Sequence, residues 1–513
     1  MHFHVDTPPI RPVIRGGGAG AQTPLPCSLR QLTAPGNPGK DLNGPDGSFI
    51  LRAAILALLL ASLAAPAEAA AIDGRQLGLI WTLPFVGILL SIALMPILTP
   101  GFWHHHYGKV AAFWGAIFLL PFLIVFGPAM AGQEVVFVLV QEYIPFIVLL
   151  LALYTTGGGV LLRGTLVGTP LTNTALLAIG TVLASFMGTT GASMLLIRPV
   201  LRANQHRTRK VHIFVFFIFL VSNIGGSLTP IGDPPLYLGF LKGVSFFWPT
   251  THLFLPFLFC AVILLAIFYT LDSILYAREP KRPADTAPRE KLSIEGWPNV
   301  WLIGVVVLGV LLQGIWKPGD VQILTESVGL ERIVAIGIFL GVTLVSMLIT
   351  SNALREANGF AWGAMAEVAK LFAAIFLCMG PVLAILKAGP EGSAAGLVAL
   401  TSDGSGAPIP WVYFWMSGVL SSFLDNAPTY LVFFNLAGGD PNHLMTQGAA
   451  TLTAISAGSV FMGANSYIGN APNFMVKAIV EENGVRMPSF FGYCAWALIF
   501  LVPLFVLVTL IFF

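Results

Sequence analysis

Long apolar stretches recur along the chain from Asp73 to the C-terminus, separated by short polar or charged segments. A helix of about 20 apolar residues is long enough to cross a bilayer. The chain is therefore predicted to be an all-α polytopic membrane protein. The predicted crossings are Leu77–Leu98, Val110–Phe126, Tyr143–Val160, Val211–Phe247, Leu253–Leu275, Val300–Ile315, Ile333–Ile349, Leu371–Leu386, Ala449–Ile479 and Phe490–Phe512.

Two further apolar regions, Leu171–Leu201 and Trp411–Leu436, are interrupted near their centres by polar and helix-breaking residues. The first interruption is Gly188–Ala192 (GTTGA), and the second is Asp425–Thr429 (DNAPT). Such residues are unfavourable on a straight helix that faces lipid. Each region is therefore predicted to be a re-entrant hairpin, in which two half-helices enter and leave the bilayer on the same side.

Positive charge is concentrated in two segments, Arg198–Lys210 and Arg278–Lys291, each with five Lys or Arg residues. Short basic loops stay in the cytoplasm, so both segments are placed there. Counting crossings from them puts the start of Leu77–Leu98 in the periplasm and makes the second hairpin enter from the side opposite to the first. The predicted fold is two inverted-topology repeats of five transmembrane helices in a bacterial inner (cytoplasmic) membrane. Each repeat has a re-entrant helical hairpin and a broken helix.

The two halves also share residues at a constant spacing. Ser422-Phe423 follows Ser185-Phe186 by 237 positions (422 − 185). The same spacing pairs Ser222 with Ser459, Gly226 with Gly463, Ile231-Gly232 with Ile468-Gly469, and Pro235 with Pro472. One spacing across two separate motifs indicates an internal repeat, and matching interrupted helices in inverted repeats point to a transporter's binding site.

A change of composition before Asp73 sets the predicted domain boundaries. Residues 1–48 are polar and rich in Gly and Pro, and we interpret them as a disordered extension or the product of a misassigned start. Residues 49–72 combine Arg52, an apolar run and Ala67-Glu68-Ala69, which predicts a signal peptide; an uncleaved N-terminal helix is the alternative. Cleavage would leave the mature N-terminus in the periplasm. The other predicted units are repeat 1 at 73–276, a cytoplasmic linker at 277–297 and repeat 2 at 298–513.

Composition agrees with a protein that lies mostly in lipid, because 56% of the residues are hydrophobic and only 10% are charged. The net charge of +2 does not indicate nucleic-acid binding. The cysteines Cys27, Cys260, Cys378 and Cys494 show no CxxC or Cys/His pattern, so we predict neither a disulfide nor a transition-metal site. No organic cofactor is predicted.

Each half has a second interruption, within a stretch that is too long for one straight crossing. It is Ser222–Pro235 (SNIGGSLTPIGDPP) in the first half and Gly463–Asn473 (GANSYIGNAPN) in the second. Gly allows unusual backbone angles, and Pro blocks helix continuation. Carbonyl and side-chain oxygens freed at this depth suit Na⁺, whereas half-helix N-termini suit an anion. The predicted backbone breaks are Gly225, Gly226, Gly232, Pro234, Pro235, Gly463, Gly469 and Pro472.

Asp233 and Asp425 are the acidic residues within these interruptions. A carboxylate at the bilayer centre costs about 2.5–3.5 kcal/mol on insertion scales, so its presence points to function. Burial favours the protonated carboxyl, whereas a bound cation favours the ionised form and releases the proton. That competition is the simplest coupling mechanism for an antiporter, and replacing either Asp with Asn is predicted to abolish coupled transport. The alternative is that each acid only caps a half-helix.

Other charged residues are predicted to lie away from the breaks. Glu142 is expected at the periplasmic edge of a crossing, and Asp272 is expected to face headgroups near a cytoplasmic helix end. No Arg or Lys is placed near the breaks. A polyanionic substrate would therefore depend on helix dipoles, hydroxyl groups and co-bound cations.

The motifs Ser222–Pro235, Ser421–Thr429 (SSFLDNAPT) and Gly463–Asn473 resemble those of the ion transporter superfamily. That grouping contains NhaD-type sodium/proton antiporters, ArsB-type arsenite pumps, citrate–metal symporters and dicarboxylate/sodium symporters. The resemblance extends from about Leu77 to the C-terminus and is greatest to bacterial citrate transporter-like proteins that are also described as sodium/proton antiporters.

This resemblance implies a homodimer with scaffold and transport domains, the latter moving as an elevator. The paired Ser-Asn-Thr signatures of the dicarboxylate symporters are absent from both hairpin tips, which argues against carboxylate recognition by that scheme. The ion- or substrate-binding residues, with Na⁺ at the same sites, would be Thr189, Thr190, Asn223, Ser227, Thr229 and Asp233 in one half and Asp425, Asn426, Thr429, Asn465, Ser466 and Asn470 in the other.

Sodium/proton antiport is the first functional prediction, because two buried acids without basic partners suit the exchange of Na⁺ and H⁺. Cation-coupled transport of citrate or another carboxylate is the alternative. An intramembrane aspartyl protease that uses Asp233 and Asp425 is a remote alternative, because Pro230–Asp233 lacks the first glycine of a GxGD pattern. We therefore predict a secondary transporter and not an enzyme.

Overall fold

The computed structural model describes residues 73–279 and 290–513. The predicted N-terminal extension at 1–48, the predicted signal peptide at 49–72 and the part of the predicted linker at 280–289 lie outside the described residues. Within the described residues the fold is mainly α-helical, with short β-strands between helices.

The first half of the described chain contains eight α-helices. A π-helical segment, Val138–Tyr143, joins the second helix to the third. The helices are α1 (Leu83–Leu98), α2 (Pro100–Phe137), α3 (Ile144–Gly157), α4 (Pro170–Met187), α5 (Thr189–Ala203), α6 (Val211–Leu220), α7 (Pro234–Leu241) and α8 (Trp248–Ala277).

The second half continues the numbering. A two-stranded hairpin of β3 (Asp320–Ile323) and β4 (Glu326–Gly329) lies between the first two of its helices. The helices are α9 (Trp297–Ile315), α10 (Leu330–Ile349), α11 (Asn352–Ala357), α12 (Trp362–Lys387), α13 (Ala395–Thr401), α14 (Pro410–Phe423), α15 (Asn426–Leu436), α16 (Pro441–Met445), α17 (Ala449–Phe461), α18 (Ala471–Glu482) and α19 (Phe490–Phe512).

Helix breaks occur in both segments where the sequence predicts them. An irregular segment that contains the 3₁₀ turn Ile224–Leu228 separates α6 from α7, and a segment that contains the 3₁₀ turn Met462–Asn465 separates α17 from α18. The helices after the breaks begin with proline in their first two positions, Pro234 and Pro235 in α7 and Pro472 in α18. Proline lacks the N–H donor that would have no helical partner there, so it favours a new helix start.

Each predicted hairpin consists of two helices that meet at a short interruption. Gly188 separates α4 from α5 and has a φ of +79°, a backbone angle that glycine adopts without the Cβ penalty. Leu424 and Asp425 separate α14 from α15 in extended conformations. The interruptions therefore fall at the two predicted tips.

The predicted crossings Val110–Phe126 and Tyr143–Val160 lie on either side of a helix break at Gly127. Gly127 has non-helical backbone angles, with a φ of +83°, directly before Pro128, so α2 consists of two helical parts. The part after Gly127 begins before the second predicted crossing, and the π-helical segment continues it into α3.

The broken helices lie at the centre of the fold. Every residue from His212 to Leu220 in α6 and from Thr451 to Phe461 in α17 is buried. Peripheral helices instead expose large apolar side chains, such as Trp301 in α9, Leu348 in α10 and Leu510 in α19. Nine helical runs among the described residues are long and apolar enough to cross a membrane, and their exposed apolar faces suit contact with lipid.

The C-terminal end of α3 is fixed by the second half of the chain. β1 (Leu161–Arg163) pairs antiparallel with β2 (Ser293–Glu295), which belongs to the predicted linker. The buried guanidinium of Arg355 donates to the carbonyl oxygens of Thr155 and Ser346, both at 2.9 Å. One side chain thus joins the ends of α3, α10 and α11.

We expect Arg355→Met to lower the free energy of unfolding by about 2–4 kcal/mol, because a hydrogen bond from a charged donor contributes about 1.5–3 kcal/mol and its buried acceptors would lose their partner. The unfolding temperature in detergent measures this change. The control is Arg163→Met, since the Arg163 side chain is 54% exposed in its ion pair with Glu295. An equal shift in both variants would contradict the structural role of Arg355.

Candidate functional site

Asp233 lies directly before α7, and its carboxylate is buried in the break of the first half. Three side chains donate hydrogen bonds to it. The Thr189 hydroxyl donates to Oδ1 at 3.0 Å, the Asn426 amide to Oδ2 at 2.8 Å, and the Asn470 amide to Oδ1 at 3.4 Å. These donors belong to the first tip, the second tip and the second break. Asp233 therefore connects the first break to the other three interruptions.

The groups around Asp233 share a position at helix N-termini. Thr189 and Asn426 are the first residues of α5 and α15, Asn470 precedes α18, and Asp233 itself precedes α7. A helix N-terminus has a partial positive charge and favours an anion. Four N-termini thus converge on one carboxylate, and its hydrogen-bond partners are all uncharged side chains.

Asp425 has a different environment. Its carboxylate accepts a hydrogen bond from the backbone N–H of Ala427 at 3.0 Å, within its own tip, and it caps the N-terminus of α15. Asp233 has no such cap bond to α7. The capping alternative therefore describes the observed contact of Asp425 but not those of Asp233.

Hydroxyl groups hold the first tip against the first break. The Thr229 hydroxyl donates to the Ser185 carbonyl at 2.5 Å, and the Ser185 hydroxyl donates to the Gly225 carbonyl at 2.5 Å. The Ile231 backbone N–H donates to the Thr229 oxygen at 3.2 Å. These bonds connect the end of α4, just before the first tip, to the segment that leads to Asp233, and one of them occupies the Gly225 carbonyl of the break.

The second half has the same bonds at positions 237 residues later. The Ser466 hydroxyl donates to the Ser422 carbonyl, the Ser422 hydroxyl donates to the Met462 carbonyl at 3.1 Å, and the Ile468 N–H donates to the Ser466 oxygen at 3.2 Å. Equal spacing of donors and acceptors shows that the two tip–break pairs have matching local geometry.

A pair of asparagines connects the two breaks. The Asn223 amide donates to the Asn473 side-chain oxygen at 2.7 Å, and Asn473 donates to the carbonyls of Gly463 and Ser466 at 2.8 and 2.9 Å. Asn473 is missing from the predicted site residues, although it closes the Gly463–Asn473 motif. The sequence did offer a signal for Asn473, because it is a polar residue directly after Pro472, where a new helix was predicted to start.

The remaining predicted site residues make mostly local contacts. Ser227 donates to the Ile224 carbonyl at 2.9 Å, and Thr429 donates to the Asp425 carbonyl at 3.0 Å. Asn465 donates to the Ser422 hydroxyl oxygen at 2.9 Å, while its own buried side-chain oxygen has no hydrogen-bond partner. That oxygen is an available acceptor beside the second break.

Close backbone packing explains the glycines in both breaks. A Cβ on Gly232 would lie 2.2 Å from the Gly226 carbonyl oxygen, and a Cβ on Gly469 would lie 2.5 Å from the Gly463 carbonyl oxygen. Real Cβ atoms do not approach backbone this closely. These positions therefore need glycine for space and not for a left-handed backbone.

A cavity of about 120 Å³ opens beside Asp233 and the first tip. Thr190 lines it, together with Tyr154 from α3 and Met365 from α12. Its other lining residues are mainly apolar, and they include no Lys, Arg or His. The cavity lies between the first tip and first break on one side and α3 and α12 on the other. Neither α3 nor α12 contains a predicted site residue.

One prediction about another acid is wrong. Asp272 does not face headgroups but is buried, and it pairs with Arg207 at 2.5 Å and His212 at 2.8 Å. Glu142 is also buried and pairs with Lys242 at 2.5 Å, while its position at the periplasmic edge stays a prediction. Neither pair was predicted, because the basic partners are distant in sequence and reach the acids only after folding.

The apolar helical runs and the buried polar site between broken helices define a multi-pass membrane protein with an internal site. A family model described as "Putative citrate transport" matches residues 74–513, so the chain belongs to this citrate-transport family. The chain is also similar to the "46 kDa membrane protein" of Mycobacterium leprae (strain TN). The two are 25% identical over 324 residues, which cover 62% of this chain and 71% of that protein.

Proposed function

We propose that the protein is a secondary active, cation-coupled transporter that exchanges Na⁺ for H⁺ by alternating access at the paired helix breaks. The observation that carries this proposal is the position of Asp233. Its buried carboxylate is the point where both tips and the second break meet, and its partners there are uncharged. A single group of this kind is able to hold either a proton or a cation.

The exchange follows from the two charge states of Asp233. The ionised carboxylate attracts Na⁺, and side-chain or carbonyl oxygens near Asp233 complete the cation's shell. Protonation removes the charge and one acceptor position, so it weakens Na⁺ binding. Since the two ions compete for one carboxylate, binding one releases the other.

The matching hydrogen bonds of the two halves support the wider architecture that we propose. They fit two inverted repeats with re-entrant hairpins, and the cavity beside Asp233 fits a transport domain that moves against a scaffold. A homodimer in the bacterial inner membrane, with a periplasmic N-terminus, completes the proposal. Inverted repeats would place equivalent breaks in opposite orientation, which alternating access requires.

Cation-coupled transport of citrate or another carboxylate is the second candidate. Membership of the citrate-transport family supports it, and so do the four helix N-termini that converge at Asp233. The cavity lining counts against direct binding of a trianion, because it includes no Lys, Arg or His. Citrate would have to bind there with its cations.

Everted membrane vesicles that contain the protein separate these candidates. We expect added Na⁺ or Li⁺ to dissipate a preformed pH gradient, and vesicles without the protein to show no such response. Uptake of labelled citrate is measured in the same preparation. Citrate uptake without cation-driven proton movement would contradict sodium/proton exchange and favour the second candidate.

A further inference from the structure

The short helix α7 connects the site to a second set of charged contacts. It has eight residues, or about 12 Å at the helical rise of 1.5 Å per residue. Asp233 precedes its first residue, and Lys242 follows its last residue. A displacement of α7 along its axis therefore moves Asp233 and Lys242 together.

The end of α7 that is remote from Asp233 is bound by two elements that contain no predicted site residue. Lys242 forms an ion pair at 2.5 Å with Glu142 of the π-helical segment. Arg332, in the first turn of α10, donates to the Leu241 carbonyl at 2.8 Å and to the Gln141 side-chain oxygen at 2.6 Å. These contacts are together called the α7 latch.

Helix electrostatics favours this arrangement. The last carbonyl groups of a helix have no partner within the helix, and its C-terminus has a partial negative charge. Arg332 supplies a donor to one of those carbonyls, and Lys242 places a positive charge beside them. The latch therefore stabilises α7 in its observed position with its N-terminus at the functional site.

The latch lies beside open space, and its ion pair is less buried than the Arg207–Asp272 pair. A cavity of about 220 Å³ is lined by Gln141, Glu142, Lys242 and Arg332, and a neighbouring cavity of about 350 Å³ also contains Arg332 in its wall. Charges that separate into such space regain hydration, which reduces the cost of separation. The Lys242 side chain is 27% exposed, whereas both side chains of the Arg207–Asp272 pair are fully buried.

We propose that the α7 latch holds the site in one access state and opens during each transport cycle. Glu142, Lys242 and Arg332 are then positioning residues, which act on Asp233 through α7 and do not contact the transported ion. This inference rests on the proposed alternating access. Beyond that proposal, it identifies the contacts that must separate when α7 moves relative to α10 and the π-helical segment.

Reversible crosslinking tests the latch directly. Glu142→Cys and Lys242→Cys are combined in a background in which the native cysteines are replaced and transport is first shown to be retained. A short bifunctional thiol reagent that contains a disulfide then joins the pair. We expect Na⁺-driven proton movement to fall to the level of empty vesicles and to return after reduction.

The matched control is a pair at the same edge that does not involve α7. Lys317 and Glu331 form an ion pair at 2.8 Å between the α9–α10 connection and the first turn of α10. Crosslinked Lys317→Cys/Glu331→Cys is expected to transport at its uncrosslinked rate. If crosslinked Glu142→Cys/Lys242→Cys also does so, the latch is wrong while sodium/proton exchange stands. If the wild-type protein shows no Na⁺-driven proton movement in the same vesicles, the proposed function itself fails.

Exchanging the two charges of the Glu142–Lys242 pair provides a second test. Its result would differ if the pair only stabilised the fold. Glu142→Lys alone should change the KM for Na⁺ several-fold, because an unlatched α7 changes the balance between access states. Glu142→Lys/Lys242→Glu restores an ion pair and should return KM towards the wild-type value. An unchanged KM in the single variant at normal protein yield would overturn the proposal.

Discussion

Asp233→Asn is expected to abolish Na⁺-driven proton movement, with a decrease of about 100-fold or more, which corresponds to about 2.7 kcal/mol. Asn is nearly the same size. Its side-chain oxygen can accept from the Thr189 hydroxyl, and its amide NH₂ can donate to the Asn426 side-chain oxygen if the Asn426 amide reorients. The protein is therefore expected to fold and insert normally. The titratable group is lost, so Na⁺ and H⁺ no longer compete. Vesicle assays at matched protein yield measure the loss.

Two other Asp→Asn variants test whether the effect belongs to this position. Asp440 caps α16 on the surface through the Asn442 N–H at 2.9 Å, and its replacement is expected to leave transport unchanged. Asp425→Asn retains an N-cap side chain, because Asn caps helices about as well as Asp. Because of this cap contact we expect the Asp425 variant to retain much of the activity, in contrast to the loss predicted from the sequence alone. Wild-type transport by Asp233→Asn would contradict our assignment.

Gly232→Ala is the second substitution with a large expected effect. The added methyl group would lie 2.2 Å from the backbone oxygen of Gly226, so the backbone of the first break must shift. Overpacking of this kind costs about 1–3 kcal/mol. The neighbouring Asp233 would move with the break, and we expect transport to fall at least tenfold, or about 1.4 kcal/mol. Transport rate and unfolding temperature are measured on the same purified protein.

Gly337→Ala is the matched control for this substitution. Gly337 lies within α10, and a Cβ there meets no atom within 4 Å. Alanine is favoured over glycine inside a helix by about 1 kcal/mol, so this variant should be as stable as wild type or more stable. Equal losses in the Gly232 and Gly337 variants would show that the break does not require close packing at Gly232.

The helix breaks were predictable from sequence because their cause is local. Gly188 and the prolines at 234, 235 and 472 act through their own backbone geometry, and the structure interrupts helices at these positions. The break at Gly127-Pro128 has the same cause, and it lies between the predicted crossings Val110–Phe126 and Tyr143–Val160. The sequence analysis did not predict helix between this break and Tyr143, because an apolar linker gives no periodicity signal to distinguish a loop from continued helix.

The partners of Asp233 were not predictable, because they come together only in three dimensions. Thr189, Asn426 and Asn470 each appeared among the candidate residues, but no sequence pattern assigned them to one carboxylate. The repeat spacing pairs Thr189 with Asn426 and Asp233 with Asn470, and in the structure the other three residues each donate a hydrogen bond to Asp233. Asp425 lies in a hairpin tip, where its carboxylate accepts from the Ala427 N–H of the same tip.

Buried ion pairs were missed for a related reason. Asp272 and Glu142 find Arg207 and Lys242 across long separations in sequence, where hydropathy shows only an acid near the end of an apolar stretch. Pairing offsets part of the cost of burying each charge, which allows both acids to lie inside the protein. Local patterns place a residue along the membrane normal, but they do not give its neighbours.

Competition between Na⁺ and H⁺ at Asp233 is measured most directly by calorimetric titration of purified protein with Na⁺ in two buffers of different ionisation enthalpy. The difference between the buffers gives the number of protons released per bound Na⁺. We expect about one proton for the wild-type protein and none for Asp233→Asn, because ion binding that requires a deprotonated ligand releases its proton. Na⁺ binding without proton release in the wild type, or equal release in both proteins, would contradict the assignment of Asp233 as the coupling site.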